Sequence, residues 1–536
     1  MINIIPQTEL RLLKTPLEQD SEHTLSFNNM SSQTSYFLSQ TFKAYSDFTY
    51  QRESQSVVVS EPYDTICTCN YLMYKNNGFT NKYFYAFISK MEYVSENSTR
   101  IYFTIDSLQT WYFNINYNRT FVEREHVNDD TLGANTVPEG LECGELTMCH
   151  TPTVYLNNPN DYYICLAVSE DPYESIDAFD TVHRKYNGIF SGLYYIGCKT
   201  FNDATNVVAI YDSTGKADAI YSIFMIPKNF ITSLLTPQEW KYPTVGTAQY
   251  TAEVYLIPDM SSSDIIGGIE GIYPTTIGNN YTPRNKKLLT FPFNYMVLSN
   301  NSGGDVVYKY EDFTYDNNSP KPVFSVQGSI CPGCSMKAIP FKYKNSTGEN
   351  FNFGLMLGKL PVCSWTSDVY TNWLTQNGIN TEIHGLFGAV GGLAEGVNGN
   401  PSGIASGALA IYDAVHAHTV ADLIPAQAKG NINAGDINFS YSNNGGLTLY
   451  YMSLRNEFAS IIDEYFDKFG YKINRVKIPN ITGRRNWNYV KTIDCNFTGN
   501  LPQEDLDKIK AIFNRGITFW HNANNFLNYS VNNDII

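Results

Sequence analysis

Short runs of aromatic and β-branched residues, cut at intervals by Asn, Gly and Ser, leave this chain few folds to choose from. Lys82-Tyr-Phe-Tyr-Ala-Phe-Ile-Ser89 and Arg100-Ile-Tyr-Phe-Thr-Ile105 have strand length and strand composition, and Lys75-Asn-Asn-Gly78 is a turn sequence. Similar runs recur at 162–168, 193–197, 205–211, 219–226 and 250–257. The pattern predicts antiparallel strands in several domains and a mainly β fold. Aromatic residues make up 14% of the 536, while charged residues reach only 17% against about 25% in an ordinary domain. A surface so poor in charge is weakly defended against association, which suits a subunit that lies against copies of itself.

Between these runs, Asp259 to Asn285 is rich in Ser, Gly, Asn, Thr and Pro and reads as a long loop or linker. A second β stretch is expected from Lys286 to about Leu360. Two helices close the chain. In Ser453–Phe469, Phe458, Ile461, Ile462, Tyr465, Phe466 and Phe469 fall on one face before Gly470. In Leu501–Arg515, Pro502 opens the helix, Leu506, Ile509, Ile512 and Phe513 form its stripe, and Gly516 stops it. Both stripes read as core packing, so this end is α+β.

The formal charge of −15 argues against a generally basic nucleic-acid coat or membrane-surface protein. Of ten cysteines, only Cys67/Cys69 and Cys331/Cys334 are close pairs. Neither finds a partner of zinc-site spacing, so no metal or other cofactor is expected. Pro332-Gly333 makes a hairpin tip the better reading of the second pair. The first residues, MINIIPQTELRLLK, lack the apolar core of a secretion signal, and Sec export is not expected.

One segment breaks the aromatic pattern. From Leu360 through Ala428 there are 69 residues without a Lys or Arg, and Gly385–Ala421 holds 8 Gly and 8 Ala in 37 residues. Two apolar arms, carrying Gly385, Leu386, Phe387, Val390, Leu393 and Val397, then Ile404, Leu409 and Ile411, flank a polar tip at Asn398-Gly-Asn-Pro401. A plain surface loop has no use for so many apolar side chains. A permanent anchor needs about 20 continuous apolar residues, and Glu395, Asp413 and Asp422 interrupt the arms. The favoured reading is a membrane-active loop stored against protein and released on cue. Gly385–Gly396 is similar to the fusion peptide of influenza hemagglutinin in its Gly-Leu-Phe-Gly-Ala start and Glu-Gly end. His416 and His418, near Asp413 and Asp422, would make release acid-sensitive or simply solvate the second arm.

No phosphate-binding loop, zinc helix, nucleophile elbow or calcium loop occurs. The nearest approach to an acid/base pair is Glu123-Arg-Glu-His126 with Asp129 and Asp130, which would serve glycoside cleavage; Arg124 among them favours neutralised surface carboxylates instead. Catalysis is not expected. Lys468, Lys472, Arg475, Lys477, Arg484, Arg485 and Lys491 form a basic stretch without an acid, around Trp487 and Tyr489. It faces either phosphates or a negatively charged neighbouring subunit, and the subunit interface is favoured.

Several blocks carry a resemblance. Asp106-Ser-Leu-Gln-Thr-Trp111, Phe121-Val-Glu-Arg-Glu-His-Val-Asn-Asp-Asp130 and Thr136-Val-Pro-Glu-Gly-Leu-Glu142 resemble the distal tail tube, or tail knob, proteins of small short-tailed bacteriophages. So do Lys286-Lys-Leu-Leu-Thr-Phe-Pro-Phe-Asn-Tyr295, Ser299-Asn-Asn-Ser-Gly-Gly304, the stretch Trp365–Asn380, Tyr465-Phe-Asp-Lys-Phe-Gly-Tyr471 and Trp487-Asn-Tyr-Val-Lys491. The resemblance implies a homohexamer at the tail tip of the virion, joined to the upper tail or lower collar protein. Its β-barrel tube domains would surround a channel for double-stranded DNA, read without regard to sequence. The loop of each subunit would plug that channel and then enter the host membrane as the genome leaves.

The implied division is an N-terminal β tube domain at 1–135, a middle β-rich domain at 136–285, and a second tube domain opening at 286–383. That second domain is interrupted by the hydrophobic loop at 384–436 and completed by an α+β part at 437–536. A receptor-binding adhesin, with carbohydrate-stacking aromatics in 150–280, is the alternative; a cell-wall hydrolase using Glu123 or Glu125 is a weaker one.

Overall fold

The computed structural model describes residues 8–536 apart from 47–49, 52–54, 77–81, 157–160, 174–184, 187–188, 231–235, 242–249, 258, 261–263, 279, 319, 329–334, 359–361, 365–430 and 434–445. Antiparallel strands dominate it. The chain forms two compact units, one of Met1–Gly144, Pro283–Leu288 and Asn456–Ile536, the other of Glu145–Thr282 and Leu289–Arg455.

The first unit contains a seven-stranded sheet in the order Thr41–Ser46, Thr8–Leu13, Tyr71–Asn76, Tyr83–Ser95, Ser98–Ile105, Ser56–Val59, Tyr50–Gln51. Alternation along the strands sends side chains to two cores. Leu10, Leu12, Val57, Leu72, Tyr74, Ile101 and Phe103 pack together on one side. On the other, Leu13, Tyr71, Met73, Tyr85 and Phe87 meet Phe37, Trp487 and Trp520. Because both faces are covered, Tyr71–Tyr74 is a continuous buried run, with no polar alternation.

A five-stranded sheet completes this unit, in the order His23–Leu25, Ile517–Trp520, Trp487–Ile493, Thr120–Glu125, Tyr471–Lys477. Trp487 sits opposite Trp520 in register, with ring centroids 5.1 Å apart. C-terminal strands therefore pair with N-terminal ones, whereas the sequence had suggested that 437–536 completes a second tube domain. Cross-strand aromatic pairs of this kind are invisible to local pattern.

The second unit holds another seven-stranded sheet, Gln238–Lys241, Thr251–Ile257, Tyr194–Cys198, Tyr162–Val168, Ile220–Pro227, Val362–Ser364, Asn431–Asn433. Against it packs the helix Phe201–Ser213, where a strand over 205–211 was expected. Thr200 and Asp203 cap its start reciprocally, and Ala204, Val207, Val208 and Tyr211 are buried at helical spacing. Four apolar residues in a short run satisfy either period, and the cap decides.

The expected linker Asp259–Asn285 likewise contains the strand Asp264–Glu270, paired with Val323–Gly328. Val323–Gly328 pairs antiparallel with Met336–Pro340, Gly328 opposite Met336. The Cys331/Cys334 tip between them lies outside the described residues. The two C-terminal helices are Asn456–Phe469 and Gln503–Arg515. Ile462, Phe466, Leu506, Ile509 and Phe513 are buried, but Ile461 is 65% exposed and so is not core. Among the described residues no helix is long and apolar enough to cross a membrane.

Candidate functional site: a charged clasp and a basic sheet edge

The helix Asn456–Phe469 runs into the strand Tyr471–Lys477 through Gly470, whose φ is +61°. A Cβ there would stand 2.2 Å from the Glu125 carbonyl oxygen, so only glycine fits. The Gly470 carbonyl, turned inward, accepts a 2.7 Å hydrogen bond from Arg124. Arg124 also lies over the Tyr465 ring at 4.9 Å and pairs with Glu139.

Glu139 is the centre of the arrangement. Its carboxylate receives Arg124, Lys287 and the backbone N–H of Lys472, the last at 3.0 Å. The exposed fractions of the three side chains, Glu139, Lys287 and Arg124, are 1%, 3% and 9%. Three stretches distant in sequence are thereby tied together at one carboxylate. Next to it, Asp463 accepts the N–H groups of Arg284 and Asn285 at 2.8 and 3.0 Å. Asp130 accepts the Tyr471 hydroxyl at 2.7 Å and the Lys286 N–H at 3.1 Å. The passage at 283–288 is thus held by Asp130 and by Asp463, which lies on the helix that begins where the chain re-enters the unit at 456.

Burial sets the protonation of several members. Asp467, bonded to Asn285 at 2.7 Å and paired with Arg284 at 2.5 Å, is pushed up to about 6 by desolvation, which outweighs the Asn285 hydrogen bond and the Arg284 charge. His126 is driven down to about 3 by burial and then by the Arg484 charge. Its Nδ1 accepts the Tyr489 N–H at 2.7 Å, leaving Nε2–H to donate to the Asp467 carbonyl at 3.0 Å. A neutral imidazole is the form these bonds require.

The proposed acid/base cluster is spent within this network. Glu123 pairs with Lys491 at 2.9 Å. Glu125 pairs with Lys477 and accepts the Asn480 N–H at 2.8 Å. Glu125 is fully buried, not the surface carboxylate expected. No described group of three or more His, Cys, Asp or Glu side chains could hold a metal ion.

The basic stretch divides in two. Lys477 turns to Glu125, and Arg484 donates to the carbonyls of Val127 at 3.2 Å and Asn533 at 3.3 Å. Arg475 and Arg485 are exposed, and Lys472 is half-buried. The strand Tyr471–Lys477 is the last of its sheet, and its outer side is met by other chain: the Lys472 N–H donates to Glu139, the Lys472 carbonyl accepts from Lys287 at 3.3 Å, and Arg475 reaches the Ala134 carbonyl at 3.4 Å. Beside it Val476, Phe121 and Ile493 lie directly opposite one another across three strands and are 61%, 36% and 46% exposed. The loop residues Gly385, Leu386, Phe387, Val390, Leu393, Val397, Ile404, Leu409 and Ile411, with His416 and His418, lie outside the described residues.

Glu139, Asn285, Asp463 and Gly470 were not singled out from sequence for any role in a site. They come from segments hundreds of residues apart, so no spacing announces them; Glu139 was visible only inside the block Thr136–Glu142.

Much of this framework falls within a family described as the C-terminal domain of the Bacillus phage phi29 tail knob protein gp9, which matches residues 259–534. The chain belongs to the tail knob protein family. A second family, the N-terminus of caudoviral major tail proteins, matches residues 6–116. Tail knob protein gp9 of Bacillus phage PZA is 28% identical, and that of phi29 27%, each alignment covering 98% of both chains. The structure of the bacteriophage C1 tail knob protein gp12 matches with a TM-score of 0.65 at 14% identity, over 99% of this chain and 100% of that one. This tail knob chain is thus a structural component of a phage tail, assembled with other tail proteins, and not an enzyme.

Proposed function

We propose that this tail knob protein forms a closed homohexameric conduit at the tail tip, joined to the upper tail or lower collar protein. Through it double-stranded DNA leaves the particle, while the loop at 384–436 first plugs the channel and then enters the host membrane. The observation that carries the reading is the 69-residue absence of Lys and Arg from Leu360 to Ala428, holding two apolar arms, in a chain otherwise built as a tail protein. A ring can shield six such loops against one another until release, which answers how an apolar segment is stored without an anchor. The net charge of −15 suits a wall past which DNA moves without being held.

The test is dye release from liposomes by the full-length protein, compared with a variant carrying Phe387→Asp and Leu393→Asp. The wild type releases dye and the variant does not; equal release by both overturns the membrane role.

A further inference from the structure

The five-stranded sheet ends in two edges of opposite charge. At one edge stands Tyr471–Lys477, with Arg475 exposed, Lys472 half-buried and the exposed Arg119 two residues before Phe121. At the other stands His23–Leu25, preceded by exposed Glu18, Asp20 and Glu22. Among the described residues none of Glu18, Asp20, Glu22, Arg119, Lys472 or Arg475 has an ion-pair partner. Arg475 reaches the Ala134 carbonyl, at 3.4 Å, and Arg515 at the acidic edge donates to the Asp20 backbone carbonyl, not to a carboxylate.

The backbone at both edges is already engaged, Lys472 by Glu139 and Lys287 and the Leu25 carbonyl by the Gln109 side chain at 2.7 Å, so contact falls to side chains: unmatched charges of opposite sign on the two ends of one sheet attract the ends of different copies. Such a contact joins unlike surfaces, so each copy keeps one edge free until rotation closes a ring. The exposed row Val476–Phe121–Ile493 supplies the apolar area that a stable contact needs beside its charges.

We infer that the basic edge around Arg475 of one copy docks on the acidic edge Glu18–Glu22 of the next, head to tail. This deepens the ring reading above and rests on it, naming the surfaces through which the copies meet. Edge-to-edge contact of this kind weakens with salt, since the charges lie at solvent-facing positions.

The experiment is sedimentation of the full-length protein at low and high salt, with three charge-reversed variants. The first carries Lys472→Glu and Arg475→Glu, the second Glu18→Lys, Asp20→Lys and Glu22→Lys, and the third all five. Each single-edge reversal is expected to weaken self-association by about tenfold or more, and the five-fold variant to recover it, because its edges attract again. Assembly of both single-edge variants like the wild type, or failure of the five-fold variant to recover, overturns the contact while leaving a ring intact. A wild type that stays monomeric overturns the ring itself and this contact with it. Should a reversed variant not fold, Arg475→Cys and Asp20→Cys are mixed in a Cys67→Ser background and oxidised. A disulfide-linked pair supports the contact, and its absence overturns it.

Discussion

Replacing Glu139 by Gln tests the buried clasp most directly. The substitution keeps the shape of the side chain and removes the charge that Arg124 and Lys287 share, at positions 9% and 3% exposed, while Arg124 keeps its hydrogen bond to the Gly470 carbonyl and Lys287 its bond to the Lys472 carbonyl. Breaking a buried ion pair by removing one partner costs about 3–5 kcal/mol, because the surviving charge is neither solvated nor paired. Two cations survive here, so the upper part of that range applies. The unit that contains the clasp has about 230 residues. For a unit of that size about 1 kcal/mol moves Tm by roughly 2–4 °C, giving an expected fall of about 8–20 °C. Differential scanning calorimetry of the full chain reads this as a shift of one transition. A second substitution, Lys287→Met, added to Glu139→Gln, removes one stranded charge and recovers part of the loss. A fall below about 2 °C for Glu139→Gln, or no recovery in the double variant, refutes the claim that Glu139 holds these segments by charge.

Two further outcomes follow from the same region. Gly470→Ala places a methyl 2.2 Å from the Glu125 carbonyl at a φ of +61°; urea unfolding should show a loss of at least about 2–3 kcal/mol, and a neutral result removes the argument from close approach. His126, pushed from 6.5 to about 3 by burial, stays neutral in the fold while the unfolded chain takes up a proton below pH 6.5. Its contribution is therefore complete above about pH 6.5 and is lost as pH falls toward 3, by about 2 kcal/mol at pH 5. Asp467, raised to about 6, acts in the opposite sense, contributing stability at low pH that is lost as pH rises through about 6. Melting curves between pH 7.5 and 5 should consequently fall less steeply for His126→Gln than for the wild type; parallel curves contradict the assignment.

The mainly β architecture and the two C-terminal helices were legible because composition, period and length agree there: Lys82–Ser89 is an aromatic and apolar run of strand length, and Gln503–Arg515 keeps its stripe between Pro502 and Gly516. Legibility failed at 205–211, where an apolar run fits strand and helix alike until Thr200 and Asp203 are seen capping it. It failed again at Asp264–Glu270, whose glycines hide a strand that only its partner Val323–Gly328 defines. The site was half legible. Arg475 and Arg485 stand in solvent as a basic stretch suggests, but Lys477 and Arg484 do not, because what a cation faces depends on chain far away in sequence.

By itself, then, the sequence determined what is local: strand-forming runs, helix stripes and their stops, the low charge, and the long Lys- and Arg-free segment with its two apolar arms. Those features follow from side-chain chemistry within one or two turns of chain. The tertiary structure alone decided that Glu139 joins residues 124, 287 and 472, and that Gly470 must be glycine. It alone also set the acidic and basic segments at opposite edges of one sheet. Strand order and burial convert a neutral list of charges into paired and unpaired ones, since the energy of a charge is fixed by which neighbour and how much water the fold leaves beside it.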